Sequence, residues 1–461
     1  MSSVVSSFLP AYNRKAMPAS PARAAAFDIL LRVERESSYA SELLHSAVYE
    51  RFSTADHALA TELVMGVLRW RSRLDADIAT TSAQPLSKLD LEILIALRLA
   101  VYQFLWLDRV PRRAALHESV ELVKRARKRS AAPFVNAVLR KLSATRQIHN
   151  MSEVESNSTE ALAREYAHPL WMVERWAREY GLTAAQQVCR HDQEIPATTI
   201  RLRSASAEEH LKKEGVTLRP GSLLASARRV EAGDVTKTEA FRTGQAVIQD
   251  EASQLVAALV GHGSQVLDCC AAPGGKALAI ADHNPNAAIT AVELHPHRAR
   301  LLQTLLHSHG SRIQIVTADA KHLPASARFD RVLADVPCSG TGTLARNPEI
   351  KWRLTVDDLR DLAQRQLAIL RSALAQVAPG GRVIYSTCSL EKQENEDVVE
   401  QALAENHAFR FLDCRTELER LKSTGELTWP NPESLTRGSF LRTIPGVHTC
   451  DGFFAALLEK F

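Results

Sequence analysis

Apolar positions recur every three or four residues through most of the first third of the chain. In ALATELVMGVLRW, Leu59, Leu63, Val67 and Trp70 fall on one face, the spacing of a helix that buries a stripe. The run LDLEILIALRLAVYQFLWL is apolar on more than one face and predicts the central helix of a bundle, ended by a break at Val110-Pro111. Two further helices follow in ELVKRARKR and PFVNAVLRKL, the second with Pro133 in its first turn. Glycine occurs once between Pro21 and Leu142, at Gly66. Residues 21–145 thus read as an all-α domain. A polar, proline-punctuated leader (1–20) precedes it and a polar, aperiodic linker (146–160) follows.

From 161 to 243 the pattern is mixed: helical PLWMVERWAREYG, strand-like ATTIRLR and another helix near AEEHLKKEG predict a small α+β module. Beyond Gly244 short apolar runs (SQVLDCC, AAITAVEL, RIQIVTAD, DRVLADV, GRVIYST) alternate with helical segments such as TVDDLRDLAQRQLAILRSALAQV. That alternation predicts a mainly parallel, doubly wound sheet over 244–461.

Composition changes this picture little. Hydrophobic residues make up 45% and charged residues 24%, as in ordinary globular chains. No apolar run reaches the length of a membrane span. Seven scattered cysteines, an odd number, argue against a disulfide framework and for a reducing, cytoplasmic compartment. Charge is more informative. Residues 1–150 hold 22 Lys+Arg against 14 Asp+Glu, a balance of +8 that leaves −4 for the rest of a chain whose total is +4. A basic first third points to a polyanionic partner, although a solvated helical surface gives the same count.

Candidate chemistry starts at VLDCCAAPGGKA, where an apolar strand ends at Asp268, a small-residue loop follows and a helix starts near Gly275. In doubly wound sheets ligands lie beyond the carboxyl ends of the strands. The loop is not a P-loop: Cys270 stands where the first glycine belongs and Ala277 where Ser or Thr belongs. The next two strands end near Glu293, suited to ribose hydroxyls, and Asp319, suited to an adenine edge. An adenosine-containing cofactor follows, and both NAD and S-adenosylmethionine satisfy the pattern. Two cysteines add to it. Cys338 follows a fourth strand in DVPCSGTG, behind Asp335, and Cys388 follows a fifth in STCSLEKQENED. Neither has a metal-ligand spacing, which argues against zinc. A lone cysteine is usually a small buried hydrophobe, but two at adjacent strand ends beside a cofactor loop point to thiol chemistry.

These segments, with LDCCAAPGGK, resemble the signatures of the RNA (cytosine-5) methyltransferases related to the yeast and human Nop2 and Sun proteins. AFDILLRVERESSYASELL, VYQFLWLDRVPRRAALHESVELVKRA and PFVNAVLRKL resemble the NusB-like domain of the bacterial Sun/Fmu-type 16S rRNA methyltransferases. The resemblance runs from Pro21 to Phe461, with departures at Ala277, where Thr is usual, and Asn347, where His is common. It implies a NusB-like all-α RNA-binding domain, an RNA-recognition module at 161–243 and a Rossmann-like class I methyltransferase domain. It implies S-adenosylmethionine as cofactor, small-subunit ribosomal RNA as partner, no metal, no membrane and a monomeric enzyme. Carried over by motif, Cys388 is the nucleophile that adds to cytosine C6 and Cys338 assists product release. Asp335 holds the base edge and the methionine end of the cofactor, and Lys276 orients base or cofactor. Ala271, Ala272, Pro273, Gly274, Gly275 and Lys276, with Glu293, Asp319 and Asp335, form the cofactor site. The alternatives are a transfer-RNA cytosine-5 methyltransferase of the same superfamily and a NusB-like RNA-binding antitermination factor. A DNA cytosine methyltransferase fits less well, because it has no counterpart of the TCS segment.

Overall fold

The computed structural model describes residues 19–36, 38–49, 52–144, 158–307 and 312–461. The expected leader, apart from residues 19 and 20, and the expected linker, apart from 158–160, lie outside the described residues. By its internal contacts the chain divides into two compact units, Met1–Val154 and Glu155–Phe461.

The first unit is all-helical among its described residues. Helix Leu91–Trp106 buries most of its length, as its all-round apolar character requires. It packs against helices Pro21–Glu36, Thr54–Arg69, Arg71–Thr81, Arg112–Arg125 and Ala132–Ala144. Its one buried cation, Arg98, is held by Asp75 at 2.7 Å and Glu34 at 3.3 Å. The helix stops at Trp106, before the expected break at Val110-Pro111; Val110 N–H instead closes a turn onto Leu107 O at 2.9 Å, and Pro111 caps the next helix. Pro133 lies in the first turn of Ala132–Ala144, where its missing N–H costs nothing. The basic stretch 124–128 is less free than its sequence implies. Lys124 pairs with Glu121 (2.7 Å), Arg125 with Asp28 (2.7 Å) and Lys128 with Asp90 (2.9 Å).

The second unit begins with helices Thr159–Glu165, Leu170–Tyr180 and Leu182–His191. Their shared core of Leu162, Met172, Trp176 and Val188 continues onto Leu344, Ile350 and Leu390. A four-stranded antiparallel sheet follows, from β1 (Thr199–Leu202), β2 (Thr217–Pro220), β3 (Ala227–Ala232) and β4 (Ala246–Ile248), in the order β2-β3-β1-β4. Arg201 and Arg203 tie this sheet to Asp282 at 2.7 and 2.6 Å. The stretch 161–243 and the region from 244 onward therefore share one unit, and the small sheet takes its last strand from beyond residue 243.

The main sheet comprises β5 (Gln265–Asp268), β6 (Ala288–Glu293), β7 (Ile313–Thr317), β8 (Phe329–Asp335) and β9 (Val377–Thr387), all parallel in the order β9-β8-β5-β6-β7. These are the five apolar runs of the sequence. A further strand, absent from that reading, extends the sheet: β13 (Phe454–Lys460) runs antiparallel to β9. It also pairs with β10 (Phe409–Leu412) and β12 (Phe440–Arg442), and β11 (Thr436–Arg437) closes the edge. Apolar side chains fill both faces, with Leu255, Val266, Ile280 and Ile289 on one and Leu267, Val332, Leu370 and Tyr385 on the other. Doubly covered strands are what a continuous apolar run demands.

Candidate active site

Four carboxylates stand at or just past the carboxyl ends of the parallel strands: Asp268 ends β5, Glu293 ends β6, Asp319 follows β7 and Asp335 ends β8. Short backbone bonds fix where each strand gives way to its loop. Cys269 N–H donates to Leu333 O (2.9 Å), Ala271 N–H to Val292 O (2.9 Å) and Ala318 N–H to Glu293 O (3.1 Å). The loop Ala271–Lys276 then turns into helix Gly275–His283. Gly274 makes that turn at φ +115°, where a side chain would be strained and a Cβ would lie 2.6 Å from Leu305.

Asp335 and Ser386 are partners in the β8–β9 register. Ser386 Oγ donates to Asp335 Oδ1 at 2.7 Å, and Lys276 Nζ meets Asp335 Oδ2 at 2.8 Å. Lys276 Nζ also lies 4.8 Å from the centre of the Phe453 ring. Burial opposes the charge on Lys276, but Asp335 outweighs it and the ammonium is held above its usual range. Beneath this pair Asp268 is fully buried, and its Oδ1 accepts Cys270 N–H at 3.2 Å. Burial first, then the charge of Asp335, pushes its carboxyl up to about 7. Burial and the neighbouring Cys269, Asp268, Asp335 and Glu293 drive the Cys270 thiol well above its usual range.

The two cysteines meet. Cys338, on the loop after β8, and Cys388, just past β9, are both free, with sulfurs 3.2 Å apart. Cys388 N–H also points at the Cys338 sulfur, 3.3 Å away. The Cys338 thiol is pushed well above its usual range by its hydrogen bond to Cys388, by burial, and by the nearby Cys388 and Glu394. The cysteine loops are braced from the C-terminal side, where Gly452 N–H donates to Gly342 O at 2.8 Å. A Cβ on Gly342 would lie 2.1 Å from Gly452 O, so only glycine permits this approach. The same contact brings Phe453 to Lys276.

The structure thus brings together Lys276, Asp335, Cys338 and Cys388. Glu293 and Asp319 stand farther along the strand ends. Glu293 accepts His295 N–H at 2.8 Å, and Asp319 holds Lys321 through its backbone N–H (3.0 Å) and its ammonium (3.2 Å). Of the two departures, Ala277 is fully buried and Asn347 donates to Thr343 Oγ1 at 3.2 Å. Four further residues belong to this cluster. Asp268 ends a strand as visibly as Glu293 does. Ser386, Phe453 and Glu394, which lies buried between the two cysteine loops, reach it only through the fold. The buried Gln249 turns its amide nitrogen toward Gly275 at the helix start, and its amide oxygen has no hydrogen-bond partner among the described residues.

The family model of the 16S rRNA methyltransferases RsmB/F matches residues 258–459, and that of the NusB family matches residues 20–144. The probable ribosomal RNA small subunit methyltransferase B of Bacillus subtilis is 33% identical, over 96% of this chain and 100% of its own length. The ribosomal RNA small subunit methyltransferase B of Vibrio cholerae is 29% identical, over 95% of this chain and 97% of its own. Among solved structures, PH0851 matches with a TM-score of 0.78 and 24% identity, over 97% of this chain and 100% of its own.

Proposed function

The chain belongs to the RsmB/F family of 16S rRNA methyltransferases, and from that membership we propose that it methylates C5 of a cytosine in small-subunit ribosomal RNA through a covalent cysteine adduct. The observation that carries this reading is the sulfur pair, 3.2 Å apart at the ends of adjacent parallel strands, beside the Lys276–Asp335 pair.

The donor set fits S-adenosylmethionine better than a dinucleotide. Asp268, Glu293, Asp319 and Asp335 line the strand ends. Carboxylates there oppose a pyrophosphate, but they suit a cation that presents ribose hydroxyls and an ammonium group. In this reading Glu293 takes the ribose, Asp319 the adenine edge and the loop Ala271–Lys276 the backbone contacts. When bound, the cofactor supplies an electrophilic methyl group.

The protein's own part follows from the chemistry of cytosine, whose C5 is a weak nucleophile. Cys388 Sγ adds to C6, which places electron density on C5 so that it can take the methyl group. Asp335 and Lys276 hold the polar edge of the ring while negative charge develops there. The C5 proton then leaves to a base, the S–C6 bond breaks, and Cys388 departs as thiolate; Cys338, kept as a thiol, assists this release. A thiol is apt because even at its free pKa a few per cent is thiolate at neutral pH, so most of the acceleration comes from positioning. The target must leave its stack to reach the sulfur, which favours a single-stranded or loop cytosine. The helical first unit and the 161–243 module add RNA affinity.

RNA containing 5-fluorocytosine tests the adduct, since fluorine at C5 blocks the elimination. Wild-type protein should trap this RNA in a form that survives denaturing electrophoresis, and Cys388→Ala should trap none. Cys338→Ala should accumulate an adduct even on ordinary RNA, and the double variant should not. Adducts that depend on Cys338 instead would reverse the roles, and no adduct from any variant would refute covalent catalysis.

A further inference from the structure

We propose that Glu394 is a positioning residue that clamps the Cys338 and Cys388 loops together and so sets the separation of the two sulfurs. The proposal rests on the cysteine chemistry above but concerns a residue that touches neither reacting atom. Each cysteine is followed by a serine, and both serines end on this one carboxylate. Ser339 N–H donates to Glu394 Oε1 at 2.8 Å, and its hydroxyl donates to Oε2. Ser389 Oγ donates to the same Oε2 at 2.5 Å. Gln366 Nε2, from helix Val356–Leu374, donates to Oε1 at 2.8 Å and to Pro337 O at 2.9 Å, which ties in the residue before Cys338.

Glu394 itself is held in place. It is fully buried, and Tyr385 OH donates to its backbone oxygen at 2.5 Å. Asn395 donates to Ser389 O at 2.9 Å, which closes the turn from Ser389 to Glu394. Burying a carboxylate is costly unless its lone pairs are filled, and here they are filled by donors from both cysteine loops and from Gln366. That cost is what a clamp must overcome and what a mere surface turn would avoid. The two loops share other bonds, from Gly342 N–H to Cys388 O (2.9 Å) and from Leu390 N–H to Thr341 Oγ1 (2.9 Å). Glu394 is the point where the residues next to both sulfurs converge. Its charge also acts on Cys338, favouring the thiol over the thiolate.

The test separates position from chemistry. Diamide removes two electrons and two protons from a thiol pair in contact and leaves a disulfide, with the reagent reduced to its hydrazine. Cross-linking of Cys338 to Cys388, read by peptide mapping, reports their proximity without RNA. The full-length protein with Glu394→Ala should cross-link at least about tenfold more slowly than wild type and lose about 100-fold in kcat, as a misplacement of about 1 Å does. Its affinity for S-adenosylmethionine should stay within about twofold, because Glu293, Asp319 and the loop Ala271–Lys276 lie at other strand ends and Asp335 is fixed within β8 by its pairing with Ser386. Glu394→Gln keeps one acceptor and the volume, and should fall between the two; it also decides the matter if the alanine variant loses cofactor binding and hence its fold. Wild-type cross-linking rate and kcat in Glu394→Gln and Glu394→Ala, or no cross-link in wild type, would overturn the clamp. Failure of the cytosine reading looks different: wild type would cross-link normally yet leave the RNA unmethylated.

Discussion

Replacing Asp335 by Asn removes one charge at the centre of the site while keeping the shape and an acceptor for Ser386. The loss falls on Lys276, whose side chain is only 13% exposed, against 24% for Asp335. At 2.8 Å and an effective dielectric of about 20, the gross attraction between the two charges is about 6 kcal/mol. Little of this is net, because both groups shed water to form the pair. Breaking a buried pair on one side costs about 3–5 kcal/mol. Two features lower the figure here: water reaches Asp335, and Asp268 lies close enough to act as a second counter-charge. With the Asp335 charge gone, one cause of the raised Asp268 value disappears, so Asp268 ionises more readily and answers part of the deficit. A net loss of about 2 kcal/mol remains, or roughly 3 °C in the melting temperature of a unit this large. Scanning calorimetry on Asp335→Asn, Lys276→Met and the double variant checks it. The double variant should melt above Asp335→Asn, since methionine still packs on Phe453 and no buried charge is left without its partner. Unchanged melting of Asp335→Asn, or a double variant whose loss equals the sum of the single losses, would show that the two residues are not coupled.

Three further outcomes are expected. A carboxyl pushed up to about 7, as at Asp268, stabilises the fold fully below its unfolded value near 3.8, and that contribution is lost as pH rises through 7; the melting temperature of Asp268→Asn should therefore fall less than that of wild type between pH 4 and 8, and parallel curves would contradict the assignment. Glu293→Ala should weaken S-adenosylmethionine binding by about 10- to 100-fold through the loss of charge-assisted hydrogen bonds to the ribose, which calorimetric titration measures; wild-type affinity would remove Glu293 from the site. Charge reversal at Arg113, Arg129 and Arg140, which are exposed, should lower the salt slope of RNA binding by about 0.7–0.9 per lost phosphate contact, whereas Arg125→Glu should mainly disturb the ion pair with Asp28; equal slopes for all variants would deny the first unit a direct role on RNA.

The architecture was legible wherever burial imposes a period. Helix Leu91–Trp106 and strands β5 to β9 are apolar runs that solvent-facing chain would not tolerate, and the sequence places them closely. Strand β13 is as apolar as they are, in FFAALL, but it follows no helix and runs antiparallel. A reading built on βα alternation has no place for it. Charge was legible only as a sum. The excess of +8 in residues 1–150 counts Lys124, Arg125 and Lys128 as available, whereas the fold pairs each with a carboxylate. Partners of Arg125 and Lys128 such as Asp28 and Asp90 lie too far off in sequence for any local pattern to reveal them.

The site shows the same limit at closer range. Asp335, Cys338 and Cys388 stand out in sequence because each lies at or just past the end of an apolar strand, where a doubly wound sheet presents its chemistry. That the cysteines touch depends on something no linear pattern carries, the register of β8 against β9. Asp335 pairs with Ser386, so chain segments leaving the two strands start level, and Cys338 and Cys388 come three and two residues later. A register slip in β9 would turn each of its side chains to the opposite face of the sheet and carry Ser386 away from Asp335. The register is fixed by burial on both faces of β9, with Ile384 in one core and Val383 and Tyr385 in the other. The core therefore determines how the two strand ends stand against each other before any polar group acts on the loops that leave them. Polar groups such as Ser386 and Glu394 act on what remains free, the loops beyond the strand ends, and so their importance appears only once the strands are laid side by side.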